Sequence, residues 1–306
     1  MTAITLLDGG MGQELIQRSG QPASPLWSTQ VMIDRPGLVA EVHRDYADAG
    51  ATVATTNTYA IHRDRLRGGA SNHYAADGAT IPDMQDQFNA LHHAALAEAG
   101  AVRDRCCLAG SIGPLGASYR ADLHPDLDTA IPLYAEVAGL LAPRVDLLIF
   151  ETIASLDAAR ACLTAGRQTD KPVWLAFTVD DEDGTRLRSG EPLAEAARIA
   201  SEADAALANC SAPEAMPAAL GALSGAGVPL GAYANAFTMI TKAFLDGGST
   251  AASLQARRDM GPAIYAEHAM TWIDAGATIV GGCCETGPAH IAEIARRLRA
   301  AGHEIT

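Results

Sequence analysis

Eight short apolar segments recur along the 306 residues of this chain, and stretches with helical patterns separate them. Most of these segments are near-continuous in Val, Ile, Leu and Ala, which is typical of parallel strands covered on both faces. No linker or shift of composition divides the chain, so we expect one domain over residues 1–306. The segments are residues 4–10, 51–59, 106–113, 146–152, 172–179, 205–211, 229–235 and 277–284.

The stretches between these segments place apolar residues at helical spacing. Residues 84–99 and 193–203 follow this pattern. The clearest helix begins at Pro288, and four apolar residues form one of its faces: Ile291, Ile294, Ala295 and Leu298. A strand followed by a helix, about eight times over, predicts an α/β fold of the closed (β/α)8 TIM-barrel type.

Polar residues collect where the predicted strands end. In a (β/α)8 barrel the active site is built at the C-terminal ends of the strands, so these residues are candidates for a common site. The same topology would bring Cys210 close to Cys283 and Cys284. The polar strand ends include Asp8, Asn57, Thr58, Ser111, Glu151, Asn209, Cys210, Asn235, Cys283 and Cys284.

Cys210, Cys283 and Cys284 form a candidate zinc site. Three protein ligands with a fourth position left open describe a catalytic zinc site. Adjacent strand residues point to opposite faces, so the backbone must turn at the cysteine pair, and we expect Gly281 and Gly282 to give it that latitude. Residues 1–5 lack the pattern of a signal peptide, so we expect reduced thiols. The alternative is three small buried core residues, the common state of free cysteine.

Zinc held by three thiolates is better suited to activating a substrate thiol than to activating water. It is a poor Lewis acid for activating water. It can instead bind a substrate thiol, displace the proton, and present a thiolate at neutral pH, where a free thiol is mostly protonated. The implied reaction is alkyl transfer to sulfur.

Six motifs, in order along the chain, resemble the homocysteine S-methyltransferase family. The resemblance implies a zinc-dependent (β/α)8 barrel in which homocysteine accepts a methyl group to give methionine. It also implies Cys210, Cys283 and Cys284 as the ligands of Zn²⁺. The motifs are Leu-Asp-Gly-Gly-Met-Gly at 7–12, Thr-Asn-Thr-Tyr at 56–59, Gly-Ser-Ile-Gly-Pro at 110–114, Phe-Glu-Thr at 150–152, Asn-Cys-Ser at 209–211 and Gly-Gly-Cys-Cys at 281–284.

The resemblance also implies roles for the polar strand ends. Asp8, Gly9 and Gly10 would receive the amino-acid end of homocysteine, and Glu151 would pair with its ammonium group, so Asp8 and Glu151 are the expected catalytic residues. The N–H groups of a glycine turn can hold a carboxylate, and a carboxylate in a partly dry pocket complements a cation. The alternatives are a tight turn at residues 8–10 and a helix N-cap network at Glu151.

Four more residues of this face are expected to contact substrate: Asn57, Thr58, Ser111 and Asn235. In some related enzymes an asparagine at the place of Asn235 is a temporary fourth zinc ligand. An ordinary asparagine that bonds loop backbone is the alternative there. The acidic segment at residues 180–185 is interpreted as a solvated loop, with a lid over the substrate as a second interpretation.

The chain departs from the family pattern at two places. Residues 234–238 read Ala-Asn-Ala-Phe-Thr where many members have Pro-Asn-Ser-Gly-Glu. Glu285 follows the cysteine pair, where a small or basic residue is common. Both departures bear on the identity of the donor or the acceptor more than on the metal.

The candidate methyl donors are S-methylmethionine, S-adenosylmethionine, betaine and methyltetrahydrofolate. The chain has no room for folate and cobalamin modules, which favours an onium donor used directly. Aromatic faces hold onium groups by cation–π attraction. Five aromatic residues are available for this: Trp27, Tyr59, Tyr119, Tyr233 and Phe237.

The net charge and the hydropathy of the chain limit which other partners it can have. With 22 basic and 36 acidic residues the formal charge is 22 − 36 = −14, and no basic run forms a nucleic-acid footprint. No stretch reaches the roughly 18 apolar residues of a membrane helix, so we expect a cytoplasmic protein with small-molecule substrates. A monomer and a homo-oligomer both fit. The alternative functions are transfer to another thiol or from a sulfonium osmolyte and, more remotely, a non-catalytic zinc or thiol store.

Overall fold

The alternating segments fold into a (β/α)8 barrel in the computed structural model, which describes residues 2–22, 24, 26–67, 83–238, 240 and 256–306. Each of the eight predicted apolar segments overlaps one strand of the barrel, and β1 and β4 extend one residue beyond their segments. The strands are β1 (Ala3–Leu6), β2 (Val53–Thr55), β3 (Cys107–Ile112), β4 (Leu147–Ile153), β5 (Val173–Phe177), β6 (Ala205–Asn209), β7 (Leu230–Tyr233) and β8 (Ile279–Val280).

The parallel strands neighbour one another in chain order from β2 to β8, and β8 then pairs with β1. The ring closes between β1 and β2, where Leu7 forms a parallel bridge with Val53. The N–H of Asp8 donates to the carbonyl of Val53 at 3.1 Å. The prediction of a closed barrel is therefore confirmed.

Helices cover the outside of the barrel. The predicted start at Pro288 is confirmed, whereas residues 85–87 form a 3-10 turn ahead of the helix predicted over 84–99. No helix among the described residues is long and apolar enough to cross a membrane. The helices are α1 (Met11–Ser19), α2 (Ser28–Asp34), α3 (Leu38–Ala49), α4 (Arg63–Leu66), α5 (Phe88–Ala99), α6 (Leu127–Leu141), α7 (Leu156–Gly166), α8 (Leu193–Ala200), α9 (Met216–Leu223), α10 (Pro262–Asp274) and α11 (Pro288–Ala300).

One short strand, β9 (Glu304–Ile305), was not predicted from the sequence. It lies parallel to β1, with Ala3 opposite Glu304. Two residues without an apolar run give no pattern for a strand, so only the tertiary pairing reveals it.

The alternation of strand residues decides which side chains reach the barrel interior. On β4, Leu147 and Ile149 belong to the interior cluster, whereas Leu148 and Phe150 pack in the layer between strands and helices. Because side chains alternate along a strand, Glu151 is the next residue to face inward. The barrel thus aims this carboxylate at its own axis, near the C-terminal end.

Candidate active site

Three cysteines meet at the C-terminal ends of β6 and β8. The Sγ atoms of Cys210, Cys283 and Cys284 all lie within 4.8 Å of one another. The Sγ of Cys283 lies 3.0 Å from that of Cys210. Cys210 is buried, and the other two cysteines are half-buried. The convergence expected from the barrel topology is present in the structure.

The backbone turns after β8, as expected, but not because of left-handed glycines. Neither Gly281 nor Gly282 has a positive φ, and the left-handed residue of the turn is Glu285, with a φ of 63°. A Cβ on Gly281 would lie 2.5 Å from the Cβ of Leu7, and one on Gly282 would lie 2.1 Å from the Oγ1 of Thr286. These glycines are therefore needed for close packing, and the prediction that they supply conformational latitude is wrong.

Cys210 adopts a left-handed backbone conformation directly after β6, with a φ of 50°. Such a conformation costs a non-glycine residue about 1–3 kcal/mol, so the surrounding contacts must hold it. The hydroxyl of Ser211 accepts a hydrogen bond from the N–H of Val179 at 2.9 Å. The hydroxyl of Tyr119 lies 2.9 Å from the Sγ of Cys210. Together these contacts fix the direction of the Cys210 thiol.

Hydrogen bonds among the three thiols separate their pKa values. The contacts from Cys283 and Cys284 lower the pKa of Cys210 well below its usual value. The contact with Cys210 raises the pKa of Cys283 well above it. The thiolate is the form of cysteine that binds metal. The lowered pKa of Cys210 therefore favours the form of this residue that can act as a ligand.

An ion pair supports the far side of Tyr119. The guanidinium of Arg188 lies 5.6 Å from the centre of the Tyr119 ring and pairs with Asp181 at 2.7 Å. The side chains of Arg188 and Asp181 are only 11% and 14% exposed. Asp181 also accepts a hydrogen bond from the N–H of Ala212 at 2.8 Å. The interpretation of this acidic loop as solvated is therefore wrong at Asp181, which braces the segment after Cys210.

Glu151 faces the barrel interior and is held by two hydroxyl groups. The Oγ of Ser111 donates to Oε1 of Glu151, and the hydroxyl of Tyr233 donates to Oε2 at 3.1 Å. Burial raises the pKa of Glu151 to about 7, although both hydrogen bonds act to lower it. A carboxyl group with this pKa is ready to ionise when a cation arrives.

Asp8 is a second buried carboxyl group at the same end of the barrel. Its Oδ2 accepts a hydrogen bond from the N–H of Thr55 at 2.8 Å, and the hydroxyl of Thr55 lies 3.0 Å from its Oδ1. Burial raises the pKa of Asp8 to about 8, and the charge of Glu151 adds to the shift. The two carboxyl groups are thus close enough to influence each other electrostatically.

Gly9 and Gly10 lie against the cysteine turn. A Cβ on Gly9 would lie 2.5 Å from the carbonyl oxygen of Thr286, and one on Gly10 would lie 2.4 Å from that of Cys283. The N–H of Gly10 donates to the carbonyl of Thr286 at 2.8 Å. This N–H is therefore already bonded within the protein, which differs from the expectation that it is exposed for a substrate carboxylate.

Asn57 and Thr58 make contacts within the protein. The Nδ2 of Asn57 lies 3.4 Å from the carbonyl oxygen of Ser28 and 3.9 Å from the Sδ of Met32, so it faces α2. The hydroxyl of Thr58 donates to the carbonyl of Ser111 at 2.6 Å. The structure gives both residues a supporting place beside the site, unlike Ser111, whose hydroxyl reaches Glu151.

Asn235 lies between the strand ends that carry the cysteines. Its N–H donates to the carbonyl of Ser211 at 3.1 Å, and the next N–H, of Ala236, donates to the carbonyl of Cys284 at 3.0 Å. The Oδ1 of Asn235 accepts from the N–H of Phe237 at 3.2 Å. Its buried Nδ2 has no hydrogen-bond partner among the described residues. The amide of Asn235 thus keeps a hydrogen-bond donor available beside the cysteine turn.

Sequence reasoning missed Thr55, and it named Asn209 and Tyr119 without recognising their supporting roles. Asn209 accepts a hydrogen bond from the N–H of Thr152 at 3.0 Å, and Thr152 has a positive φ of 59°. Thr55 holds Asp8, and Tyr119 holds Cys210. Strand alternation would have found Thr55 and Asn209, because each lies two residues after an interior apolar residue of its strand.

The sequence profile of the family described as homocysteine S-methyltransferase matches residues 5–298. This chain belongs to the homocysteine S-methyltransferase family. A homocysteine S-methyltransferase of Escherichia coli is 32% identical over 314 residues, which cover 96% of this chain and 95% of that protein. Homocysteine S-methyltransferase YbgG of Bacillus subtilis is 28% identical over 317 residues, covering 97% and 95%. A selenocysteine methyltransferase of Astragalus bisulcatus is 27% identical over 314 residues, covering 92% and 89%.

Solved structures of this family share the fold. The metallated form of the homocysteine methyltransferase MmuM from Escherichia coli superposes with a TM-score of 0.72 at 28% identity, covering 97% of this chain and 96% of that one. Its oxidised form gives a TM-score of 0.74 at 30% identity, with 96% of both chains covered. This member of the homocysteine S-methyltransferase family is accordingly a methyltransferase. The metallated relative and the cysteine cluster together indicate a metal site.

Proposed function

We propose that this chain moves a methyl group from an onium donor to the thiol of homocysteine, giving methionine, within one domain over residues 1–306. Cys210, Cys283 and Cys284 would hold Zn²⁺. The observation that carries the proposal is the cluster of three thiols within 4.8 Å of one another at the active end of the barrel. Thiolate ligands need a reducing compartment, which supports a cytoplasmic location.

The residues present fit a zinc ion on the chemistry of their donors. Three sulfur ligands with room for a fourth describe a catalytic zinc site, and the unsatisfied Nδ2 of Asn235 marks polar space beside them. When bound, Zn²⁺ supplies charge that lowers the pKa of a substrate thiol. Asn235 could serve as a temporary fourth ligand only if its amide turned, because its Oδ1 now bonds the N–H of Phe237.

The two buried carboxyl groups supply recognition of the amino-acid end. Glu151 accepts hydrogen bonds on both oxygens and so has a fixed orientation. The ammonium group of homocysteine would pair with it and draw it into the ionised form. Asp8, which Thr55 orients, is the second acceptor for that group. The substrate thiol is then directed toward the cysteines at the same end of the barrel.

Once the thiolate is formed, a single in-line displacement suffices. The bond between the methyl carbon and the donor heteroatom breaks, and its electron pair stays on that heteroatom. The new bond forms to the sulfur of homocysteine, whose proton has passed to solvent. The main contribution of the protein is positioning of the two substrates. S-methylmethionine, S-adenosylmethionine and betaine all fit this scheme.

The test is the zinc content of the purified protein beside a methyl-transfer assay with homocysteine and each of these three donors in parallel. We expect one zinc per chain and methionine from at least one donor. Absence of zinc together with full turnover would overturn the mechanism. One zinc without methionine from any of them would overturn the pairing of homocysteine with these three donors and would point to another acceptor or donor.

A second candidate is the same transfer to another acceptor. It is favoured by the selenocysteine methyltransferase among the relatives, and by residues 234–238, where this chain departs from the common family motif. Cysteine and selenocysteine therefore join homocysteine in the assay. A non-catalytic zinc store would have no use for the oriented carboxyl groups of Asp8 and Glu151, which argues against that alternative.

A further inference from the structure

A continuous series of contacts starts at one cysteine of the cluster and leads away from it. Glu285 follows Cys284 directly, and its Oε1 accepts a hydrogen bond from the Nε2 of Gln13. The Oε1 of Gln13 in turn accepts one from the indole N–H of Trp27 at 3.2 Å. Gln13 thus connects a carboxylate beside the cysteines to an aromatic ring.

The series returns to the cluster through a second aromatic residue. The rings of Trp27 and Tyr59 meet edge to face, with 6.1 Å between their centres. The hydroxyl of Tyr59 lies 2.8 Å from that of Ser118, and the next residue, Tyr119, reaches Cys210. We call Gln13, Trp27, Tyr59, Ser118 and Glu285 the rim. Every rim residue is half-buried, so each remains partly accessible to a ligand that approaches from solvent.

Charge is distributed unevenly around the rim. The guanidinium of Arg65 lies 5.5 Å from the centre of the Tyr59 ring. Glu285 places a carboxylate at the other end of the series, and Gln13 connects it to Trp27. A cationic methyl donor is therefore drawn toward the side of Trp27 and Glu285.

The Glu285 carboxylate is held in place before any donor arrives. Its backbone is left-handed, with a φ of 63°, which is uncommon for a glutamate and typical of functional sites. Gln13 lies in the first turn of α1. Trp27 packs against that turn so closely that a Cβ on Gly12 would lie 2.2 Å from its ring. Such a rigid arrangement suits recognition, because little side-chain entropy is lost on binding.

We propose that Glu285 determines donor specificity by accepting a hydrogen bond from an α-ammonium group on the methyl donor. The inference rests on the proposed methyl transfer. S-methylmethionine and S-adenosylmethionine carry both a sulfonium and an α-ammonium group. Both also carry an α-carboxylate, so their net charge is +1. Betaine and dimethylsulfoniopropionate carry an onium centre and a carboxylate, so they are neutral overall and have no N–H donor for Glu285. Glu285 takes part in no bond change and acts on donor binding alone.

The test compares two sulfonium donors that differ in the ammonium group, S-methylmethionine and dimethylsulfoniopropionate, at saturating homocysteine with zinc-loaded protein. In Glu285→Gln we expect kcat/KM for S-methylmethionine to fall about tenfold through KM, since a neutral amide oxygen makes a weaker hydrogen bond to an ammonium group than a carboxylate does. The value for dimethylsulfoniopropionate should stay level or rise. Glu195→Gln, at an exposed position of α8, is the matched control and should change neither value.

Calorimetric titration of the unaltered protein and of Glu285→Gln with S-methylmethionine gives a second readout that needs no turnover. We expect the variant to bind S-methylmethionine more weakly. If kcat/KM fell by the same factor for both donors, or did not change for either, the ratio between the donors would stay the same. That result would show at most a structural role for Glu285 and would overturn the inference. If the unaltered protein methylates no acceptor with any donor, the proposed function itself fails; activity with an unchanged ratio defeats only the role of Glu285.

Discussion

The hydroxyl of Tyr119 lies 2.9 Å from the Sγ of Cys210, inside the barrel and away from solvent. Groups that bond a metal ligand from outside commonly change metal affinity about 10- to 100-fold when they are removed. We therefore expect Tyr119→Phe to weaken zinc binding by about this factor. Competition with a chromophoric chelator measures the affinity.

A matched control removes another buried tyrosine hydroxyl. Tyr134 accepts a hydrogen bond from the N–H of Leu115 at 3.1 Å and lies in the layer around the strands. Tyr134→Phe should lower stability without changing zinc affinity. Equal zinc affinities for Tyr119→Phe and the unaltered protein would mean that the hydroxyl does not support Cys210.

Removal of a single thiol tests the metal site directly. In Cys284→Ala we expect loss of stoichiometric zinc and of methyl transfer, while the barrel stays folded, because its core does not depend on this half-buried side chain. Elemental analysis measures the zinc content, the methyl-transfer assay measures activity, and circular dichroism shows whether the barrel is folded. Cys107→Ala, at the start of β3 and away from the cluster, should keep both zinc and activity. Retention of zinc and turnover in Cys284→Ala would contradict the ligand assignment.

Most of the barrel follows from local patterns in the sequence. Segments buried on both faces, such as β4, are continuous in apolar residues, and parallel strands need a helix between them. The alternation that directs Leu147 and Ile149 inward also directs Glu151 inward. The short β9 has no such signal, because pairing with the first strand alone makes it a strand.

The site was less predictable where regular structure ends. β2 stops at Thr55, so alternation no longer fixes the direction of Asn57, whose amide faces α2. Asp181 lies in a run of acidic residues, a pattern that predicts an exposed loop. Its ion pair with Arg188 forms only in the folded chain, so nothing in the sequence indicates that Asp181 is mostly buried. Gly281 and Gly282 were expected for their conformational freedom, but their real constraint is a close approach to neighbours distant in sequence.

The side chain of Asn209 supports the backbone next to Glu151, so its removal should destabilise the folded protein. Its Oδ1 accepts the buried N–H of Thr152 at 3.0 Å, so Asn209→Ala leaves that donor unsatisfied. We expect the free energy of unfolding to fall by about 1–3 kcal/mol, as measured by urea denaturation. Asn89→Ala, on the exposed face of α5, should change it by less than about 0.5 kcal/mol. Equal stabilities for both variants would contradict this role of Asn209.

The carboxyl group of Glu151 should make recognition of homocysteine depend on pH. Burial raises its pKa from 4.5 to about 7, so below pH 7 the free protein holds it mainly as the neutral acid. Only the ionised form pairs with an ammonium group. We expect kcat/KM for homocysteine to fall about tenfold for each pH unit below 7, beyond any loss from the thiol ligands.

Comparison with Glu151→Gln separates this group from the thiols, which lose metal as they protonate. The variant should have a much lower kcat/KM, and the ratio of unaltered protein to variant should rise with pH and level off above about 7. The raised pKa also means that the folded state binds this proton more tightly than the unfolded chain does. Its contribution to stability is therefore full below about pH 4.5 and is lost as the pH rises through about 7. A ratio that stays constant from pH 5.5 to 8 would show that Glu151 does not pair with the substrate.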